Sequence, residues 1–362
     1  MQFTTPETPL GLIFDVNLGQ TIDSVLALAL LHGLAGKQEC RVASLTINYP
    51  DLRAAQLCEV IERYYLSASG PSLGGNLPTV APIGIVESRK APPNVQGDAQ
   101  PLLAKTVALT DGDNRKLWAS DIKKWNDTAI PEILIRNILM ANFDGKAAMV
   151  VSGPATNLAT LLNLPDIKPL ISAKLKVMVI ADGEFPSGKA DPGFMSDLPA
   201  AKRVLADWPT PIVFSGREVG TQIPFPGASV ESAFAYNPNH PIAAAYRAGH
   251  QMPYDAPAPA MAAVLYAIRL NEGYFKLSDP GVVSVSNDGR TEFRPSAEGK
   301  HRYLKADPAQ VERVTKAYVE LASAKPAAPP PRRLPPALQK LEDERAAAAK
   351  KQPAPSDPPE QQ

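Results

Sequence analysis

The stretch Leu12–Leu31, LIFDVNLGQTIDSVLALALL, contains the features around which the rest of the chain is organised. An apolar run, Leu12 to Phe14, ends at Asp15, and a short polar turn separates it from an apolar helical run that begins at Val25. Open α/β sheets place their ligand sites where a buried strand delivers polar side chains at its carboxyl end, directly before a helix. The stretch therefore predicts a ligand site at the carboxyl edge of a sheet.

The remainder of the chain alternates strand-like and helix-like segments. Strand-like runs cover residues 11–14, 41–47, 80–85, 147–151, 175–180 and 211–214, and helical runs cover 51–66, 129–143, 200–206, 240–247 and 261–270. Residues 86–125 are predicted to be irregular, and residues 282–285 and 291–294 a small late β-hairpin. Repeated strand–helix units predict an open Rossmann-type α/β fold, with a mostly parallel central sheet and helices on both faces.

The composition changes sharply near the carboxyl end of the chain. We predict one α/β domain over residues 1–324, closed by an amphipathic helix at 308–324, and a Pro/Ala/Lys-rich tail over residues 325–362. The tail has too few apolar residues to offset the entropy of ordering, so we predict that it is disordered and partly polyproline. Its PPPRRLPP motif suits docking into an aromatic groove on a partner protein, and a plain linker is the alternative reading.

The overall composition argues against several classes of partner. Lys+Arg and Asp+Glu balance at 37 each, so no net charge favours nucleic acid or an acidic membrane surface. No apolar stretch reaches membrane-spanning length, and the start MQFTTPETPLG lacks the pattern of a signal peptide. The chain as written predicts a cytoplasmic protein, and a true start upstream of the given one would leave export open. Cys40 and Cys58 are predicted to be buried small hydrophobes.

Four stretches resemble the inosine-uridine-preferring nucleoside hydrolases. Residues 15–29, DVNLGQTIDSVLALA, are similar to the family's amino-terminal signature, which runs roughly D-T-D-I-G-N-D-I-D-D-A-L-A-L-A in one bacterial branch. VSGPATNLA at 151–159, WPTPIVFSG at 208–216 and AVLYAIR at 263–269 are similar to further family segments in the same order. The resemblance spans about residues 11–305. It implies the family's α/β fold, hydrolysis of the N-glycosidic bond of ribonucleosides with one calcium ion, and dimers or tetramers.

The resemblance implies calcium-ligand positions at Asn17, Ser24 and, through its backbone carbonyl, Ser152. The family has aspartates where this chain has Asn17 and Ser24, and calcium takes most of its affinity from carboxylates. An amide coordinates calcium weakly and accepts no proton at neutral pH. The last metal aspartate of the family falls on Ala260 when the residues are counted without a gap, and Asp255 takes that role only in a rearranged loop. We therefore expect calcium binding to be weak or lost.

The resemblance also implies catalytic and substrate-binding positions. Asp15 and Asp23 match retained aspartates of the signature and are, with Asn17, the candidate catalytic residues. Asp23, Asn157 and Asp197 are the candidate substrate-binding residues. The family commonly carries E-F-N ahead of the aspartate that matches Asp197, and its asparagine binds ribose, whereas residues 193–195 here contain no asparagine. In a purely structural reading, Asp15 and Asp23 stabilise the sheet edge and the first helix.

Two functions of different classes remain open from the sequence. The first is a divergent hydrolase of N-glycosidic bonds, weakly active or inactive by the usual mechanism, whose site has been rebuilt. Glu184, near a strand end, is a candidate replacement carboxylate in that case and otherwise a plain loop residue. The second is a non-catalytic relative that binds a nucleoside or sugar-like ligand, or that acts as an interaction module through its tail. The replaced calcium ligands favour the second function, and the retained Asp15, Asp23 and Asn157 favour the first.

Overall fold

The computed structural model describes residues 8–67, 80–87, 101–111 and 113–326, so the predicted tail lies outside the described residues beyond its first two positions. Within these ranges, eleven strands form one sheet. The strands are β1 Leu10–Val16, β2 Cys40–Ile47, β3 Ile83–Ile85, β4 Ala147–Ser152, β5 Leu175–Ile180, β6 Ser187–Ala190, β7 Ile212–Phe214, β8 Lys276–Leu277, β9 Gly281–Val285, β10 Arg290–Pro295 and β11 His301–Lys305.

The described α-helices alternate with these strands over most of the chain. They are α1 Ile22–Gly36, α2 Leu52–Ser67, α3 Pro101–Val107, α4 Pro131–Ala141, α5 Thr156–Leu161, α6 Ile167–Lys174, α7 Pro192–Ser196, α8 Leu198–Asp207, α9 Arg217–Gln222, α10 Val230–Ala233, α11 Pro241–Gly249, α12 Pro259–Ile268 and α13 Val311–Ala322. No helix within the described ranges has both the length and the apolar character needed to cross a membrane.

The sheet is parallel through its centre, as the sequence predicts. The strand order is β3-β2-β1-β4-β5-β7-β11-β9-β10-β6, and every neighbouring pair from β3 to β11 is parallel. The late strands β9, β10 and β6 continue antiparallel, and β9 and β10 form the predicted hairpin. Because β2 and β4 lie on opposite sides of β1, the strand order reverses there, and such a reversal opens a crevice at the carboxyl ends of the strands.

The first helix is buried almost all round, which explains its uniformly apolar sequence. Helix α1 contacts α11, α12, α13 and β2, and all its residues from Ile22 to Leu34 are buried. A helix that is hydrophobic on every side is one that neighbours cover on every side. On β1 the side chains alternate, since Leu12 and Phe14 join the core that contains α1 whereas Ile13 joins the core on the opposite face. Helices therefore cover both faces of β1.

The segment predicted to be irregular contains a helix, so that prediction is wrong for residues 101–107. Leu102 and Leu103 of α3 are buried, and the helix packs against α2 and α11. The segment is too short for a helical periodicity to stand out in the sequence, and its stability comes from tertiary packing. Strand β11 was not predicted either; only His301 and Leu304 of its five residues are buried.

Truncating a side chain in α1 tests the account of the core. We expect Leu28→Ala to lower the free energy of unfolding by about 2–5 kcal/mol, because Leu28 is fully buried and its removal leaves a cavity. Met140→Ala is the matched control, since that side chain is 61% exposed and its loss should change stability by less than about 0.5 kcal/mol. Urea unfolding followed by circular dichroism measures both, and equal effects would contradict the described packing.

Candidate active site

A cavity of about 490 Å³ lies at the carboxyl edge of the parallel strands. Its wall is formed by residues that follow four of them: Asn17 after β1, Ser152 at the end of β4, Asp182 after β5 and Arg217 after β7. The segment before α12 contributes the remaining side, including Asp255. The position agrees with the ligand site predicted from the opening stretch of the sequence, and with the general placement of ligand crevices in open α/β sheets.

Asp15 precedes Asn17 of the cavity wall by two residues, and its carboxylate is fully buried. Three side chains donate hydrogen bonds to it: Thr46 Oγ1 at 2.6 Å and Asn157 Nδ2 at 2.8 Å to Oδ1, and Asn48 Nδ2 at 3.1 Å to Oδ2. Burial raises the pKa of Asp15 to about 6, although the three hydrogen bonds favour the ionised form and oppose that rise. Asp15 is thus held by the protein and is not among the residues that line the cavity.

Asn17 and Ser152 are joined by a backbone hydrogen bond at the ends of β1 and β4. The backbone carbonyl of Ser152 accepts one hydrogen bond from Asn17 N at 2.9 Å and a second from Asn48 Nδ2 at 3.0 Å. Gly153 follows with a φ of +98°, and a Cβ there would lie 2.7 Å from Asn17 Cβ, so only glycine fits. A carbonyl has two acceptor positions, and both positions of Ser152 are already used.

Ser24 is directed into the turn that precedes α1. Its hydroxyl donates to the carbonyl of Thr21 at 2.9 Å and accepts from Gly19 N at 3.2 Å, and the side chain is fully buried. Thr21 is the N-cap residue of α1, as predicted, although its side chain makes no capping hydrogen bond. The hydroxyl of Ser24 therefore stabilises a local turn.

Asp23 lies in the cavity wall and caps a different helix from its own. Its Oδ2 accepts a hydrogen bond from Ala260 N at 2.7 Å and its Oδ1 one from Met261 N at 3.2 Å, in the first turn of α12. A carboxylate at a helix N-terminus satisfies free N–H groups and favours the helix dipole. Burial nevertheless raises the pKa of Asp23 to about 7. Ala260, where the resemblance places the last metal aspartate of the family, contributes only its backbone N–H to this contact.

Asn157 and Asp197 both have structural contacts. Asn157 is buried and donates to Asp15, which ties α5 to β1. Asp197 caps α8 by accepting from Ala200 N at 3.1 Å, and it also accepts from Thr156 Oγ1 at 2.7 Å. Neither residue lines the cavity.

The two candidate replacement carboxylates accept hydrogen bonds from groups other than the three donors that bind Asp15. Asp255 is exposed at the cavity wall, and its Oδ1 accepts a hydrogen bond from Gly227 N at 2.9 Å. Glu184 accepts a hydrogen bond from Lys189 N at 3.2 Å and is not among the lining residues.

Comparison with known proteins gives matches in structure only. No family model and no curated protein matches the sequence. The inosine-uridine-preferring nucleoside hydrolase of Bacillus anthracis aligns with a TM-score of 0.60 at 16% identity, over 87% of this chain and 99% of that one. The purine-preferring ribonucleoside hydrolase of Gardnerella vaginalis gives 0.63 at 16%, over 88% and 99%. The type III effector XopQ, solved with adenosine diphosphate ribose, gives 0.60 at 14%, over 89% and 95%.

The fold is that of the nucleoside hydrolases. This confirms the predicted fold class and the description of the chain as a nucleoside hydrolase-like protein. Because every one of these identities is below 25%, the likeness concerns the fold alone, and activity has to be argued from the site.

The residues at the positions that the family resemblance implies for a calcium ion do not fit that ion. Among the described residues, no group of three or more His, Cys, Asp or Glu side chains is arranged to hold a metal ion. Ser24 and the Ser152 carbonyl are committed to protein hydrogen bonds, and the Asn17 carboxamide is neutral. These donors as arranged do not fit a hard cation, which requires several free oxygen ligands.

Sequence reasoning missed a second acidic group in the cavity, formed by Asp182 and Asp191 with Arg217. Asp182 is 8% exposed, and its Oδ2 accepts a hydrogen bond from Gly153 N at 2.8 Å. Asp191 caps α7, and its Oδ2 lies 3.6 Å from Arg217 Nη2. Burial, and then the neighbouring charge of Asp191, raise the pKa of Asp182 well above its ordinary value. The available signal was that Asp182 follows the end of β5 by two residues.

The buried carboxyl of Asp15 predicts a pH dependence of stability. Since its pKa is raised to about 6 in the folded state, the native protein holds a proton that the unfolded chain releases at lower pH. This contribution is complete below about pH 4 and is lost as the pH rises through 6, with a size of about 3 kcal/mol. Urea unfolding at several pH values from 4 to 7.5 measures the effect. The free energy of unfolding of Asp15→Asn should change less with pH than that of the wild type, whatever its absolute value. Parallel profiles would contradict the assignment.

Proposed function

We propose that this protein binds an unphosphorylated ribosyl ligand, a nucleoside or ribose-like sugar, in the cavity without calcium, and that it does not use the calcium-dependent hydrolytic mechanism. The observation that carries the proposal is that the groups at the family's metal positions are engaged in hydrogen bonds within the protein, while the cavity beside them stays open. The cavity thus allows a ligand to bind, whereas the residues at the implied metal positions do not support metal chemistry.

The arrangement of Asp15 supports the absence of calcium. An ion drawing on this carboxylate would compete with the donors from Thr46, Asn48 and Asn157, which connect three elements of the fold. Breaking one hydrogen bond to a charged group costs about 1.5–3 kcal/mol, so the ion would lose much of its binding energy to this rearrangement. The carboxylates that supply calcium affinity in the family are replaced by an amide, a hydroxyl and a methyl group at Asn17, Ser24 and Ala260.

The cavity's size and polarity support a small polyol ligand. Its volume is in the range of ordinary small-molecule pockets, which is about 300–1,000 Å³. Asp23, Asp182, Asp191 and Asp255 line it, with Arg217 as the one Lys or Arg among the described lining residues. Carboxyl groups suit ligand hydroxyls and disfavour phosphates. The effector XopQ supports only the ribosyl part of the proposal, since it shares this fold but was solved with adenosine diphosphate ribose, a ribosyl ligand that carries a diphosphate.

A second candidate function is metal-independent hydrolysis of an N-glycosidic bond. Asp23, whose pKa is raised to about 7, and Asp182, whose pKa burial also raises, both line the cavity. In glycoside hydrolysis one carboxyl group of such a pair acts as an acid and the other as a base or nucleophile. In this function the protonated carboxyl would donate its proton to the departing base while the ionised one activates water.

Calorimetry with a ligand panel tests the proposal. D-ribose, inosine, uridine and adenosine are titrated into the full-length protein in EDTA and again with 1 mM calcium, and ribose release is followed in the same samples. We expect at least one ligand to bind equally well under both conditions, with no release of ribose. Binding that requires calcium would overturn the proposal, and release of ribose in EDTA would establish the second candidate instead.

Restoring the two aspartates tests the account of the lost calcium site. We expect the double variant Asn17→Asp/Ser24→Asp to bind calcium at least about tenfold more tightly than the wild type, because each ligand or its support typically contributes tens-fold in affinity. Asn163→Asp/Ser187→Asp adds the same two charges at exposed positions and is the matched control. Calorimetric titration with calcium compares the three proteins, and equal affinity in all three would contradict the account.

A further inference from the structure

We propose that Asp182 is a ligand-binding residue, whose Oδ1 accepts a hydrogen bond from a hydroxyl of the ligand and occupies the space that a side chain at residue 193 would otherwise fill. The inference rests on the proposed function and names the polar anchor of the same cavity. Asp182 is not among the residues that the resemblance singles out.

Asp182 is the buried carboxyl of the site that the protein leaves incompletely satisfied. Asp15 accepts three hydrogen bonds, and Asp23 accepts one backbone hydrogen bond on each oxygen. Asp191 accepts two backbone N–H groups and faces Arg217. Asp182 has Gly153 N on Oδ2, and within the described part of the chain no hydrogen-bond donor contacts its Oδ1. Asp182 is only 8% exposed and lines the cavity, so a ligand in the cavity can supply the donor that the described protein groups do not give to Oδ1.

The space around Oδ1 identifies what Asp182 replaces. A Cβ built on Gly193 would lie 2.1 Å from Asp182 Oδ1, so any side chain at residue 193 would occupy the position of that oxygen. Residues 193–195 fall in the segment where the family resemblance leads one to expect the ribose-binding asparagine, and they contain none. The carboxyl therefore reaches from the end of β5 into space that a side chain of α7 would otherwise fill.

The surrounding charges favour a hydroxyl over an anion. Burial raises the pKa of Asp182 well above the ordinary range, the charges of Asp191 and Asp23 add to that rise, and the charge of Arg217 opposes it. A hydroxyl group donates to an ionised carboxylate and accepts from a protonated carboxyl, so it pairs with Asp182 in either state. A ligand phosphate would instead bring further negative charge against these carboxyls. The vicinal hydroxyls of a ribosyl group thus match the open side of Asp182.

Calorimetry with D-ribose and adenosine, on variants of the full-length chain, tests the inference. We expect Asp182→Ala to weaken binding by about ten- to hundredfold, the range for loss of a hydrogen bond to a charged group. Asp182→Asn keeps an acceptor for Gly153 N and should give an intermediate loss, so it serves if the alanine variant does not fold. Asp207→Asn removes the same charge from the surface end of α8, away from the cavity, and should bind like the wild type.

An exchange of side chains between residues 182 and 193 makes the test more specific. Gly193→Asn alone should reduce binding by more than tenfold, because the new side chain collides with Asp182 Oδ1. Combined with Asp182→Gly, the same substitution should recover affinity to within about threefold of the wild type, because one side chain then fills the space of the other. A purely structural role for Asp182 predicts no such recovery of binding.

The outcomes separate this inference from the proposed function. If the wild type binds ribose and adenosine but both Asp182 variants bind within threefold of it, the inference is overturned and the proposed function stands. If the wild type binds no member of the panel, both are overturned. Weakened binding by Asp182→Ala, with recovery in the double variant, supports both.

Discussion

The buried carboxylate of Asp15 is the contact on which the carboxyl edge of the sheet depends. It sits at the end of β1 and collects donors from β2, from the residue that follows β2 and from α5. Asn48, one of these donors, also binds the Ser152 carbonyl at the end of β4, so the strand ends on both sides of β1 are joined through one network. A buried charge is stable only with such partners, and here the partners hold together the strand ends that border the cavity.

This network changes the meaning of the family signature in this chain. Ser24 closes its own turn and the Ser152 carbonyl is fully engaged, so these two of the implied metal positions make structural hydrogen bonds. Asp23, an implied catalytic residue, caps α12. Among the described residues that line the cavity, Asp182 presents an oxygen, Oδ1, that accepts no hydrogen bond from the protein. In our account, the fold has kept a pocket suited to a ribosyl ligand while its anchor has moved from the end of β1 to the end of β5.

The sequence was sufficient for the framework and insufficient for the site. The apolar run of α1 and the β-branched strands predict a parallel sheet because burial on all sides selects such residues. Helix α3 is too short for its sequence to show a helical periodicity of apolar residues, and its stability comes from packing against α2 and α11. At the end of β5, the candidate carboxylate predicted from the sequence is Glu184, whereas the acid that lines the cavity is Asp182. Both acids follow the same strand, and only the path of the turn decides that Asp182 enters the cavity.

A crystal structure grown with both D-ribose and calcium at millimolar concentration tests the central claim most directly. The account predicts ribose in the cavity with a hydroxyl within hydrogen-bond distance of Asp182 Oδ1, and no metal ion beside Asn17. It also predicts that Thr46, Asn48 and Asn157 keep their hydrogen bonds to Asp15. A calcium ion coordinated by Asn17 and the Ser152 carbonyl, with ribose bound to that ion, would contradict the account.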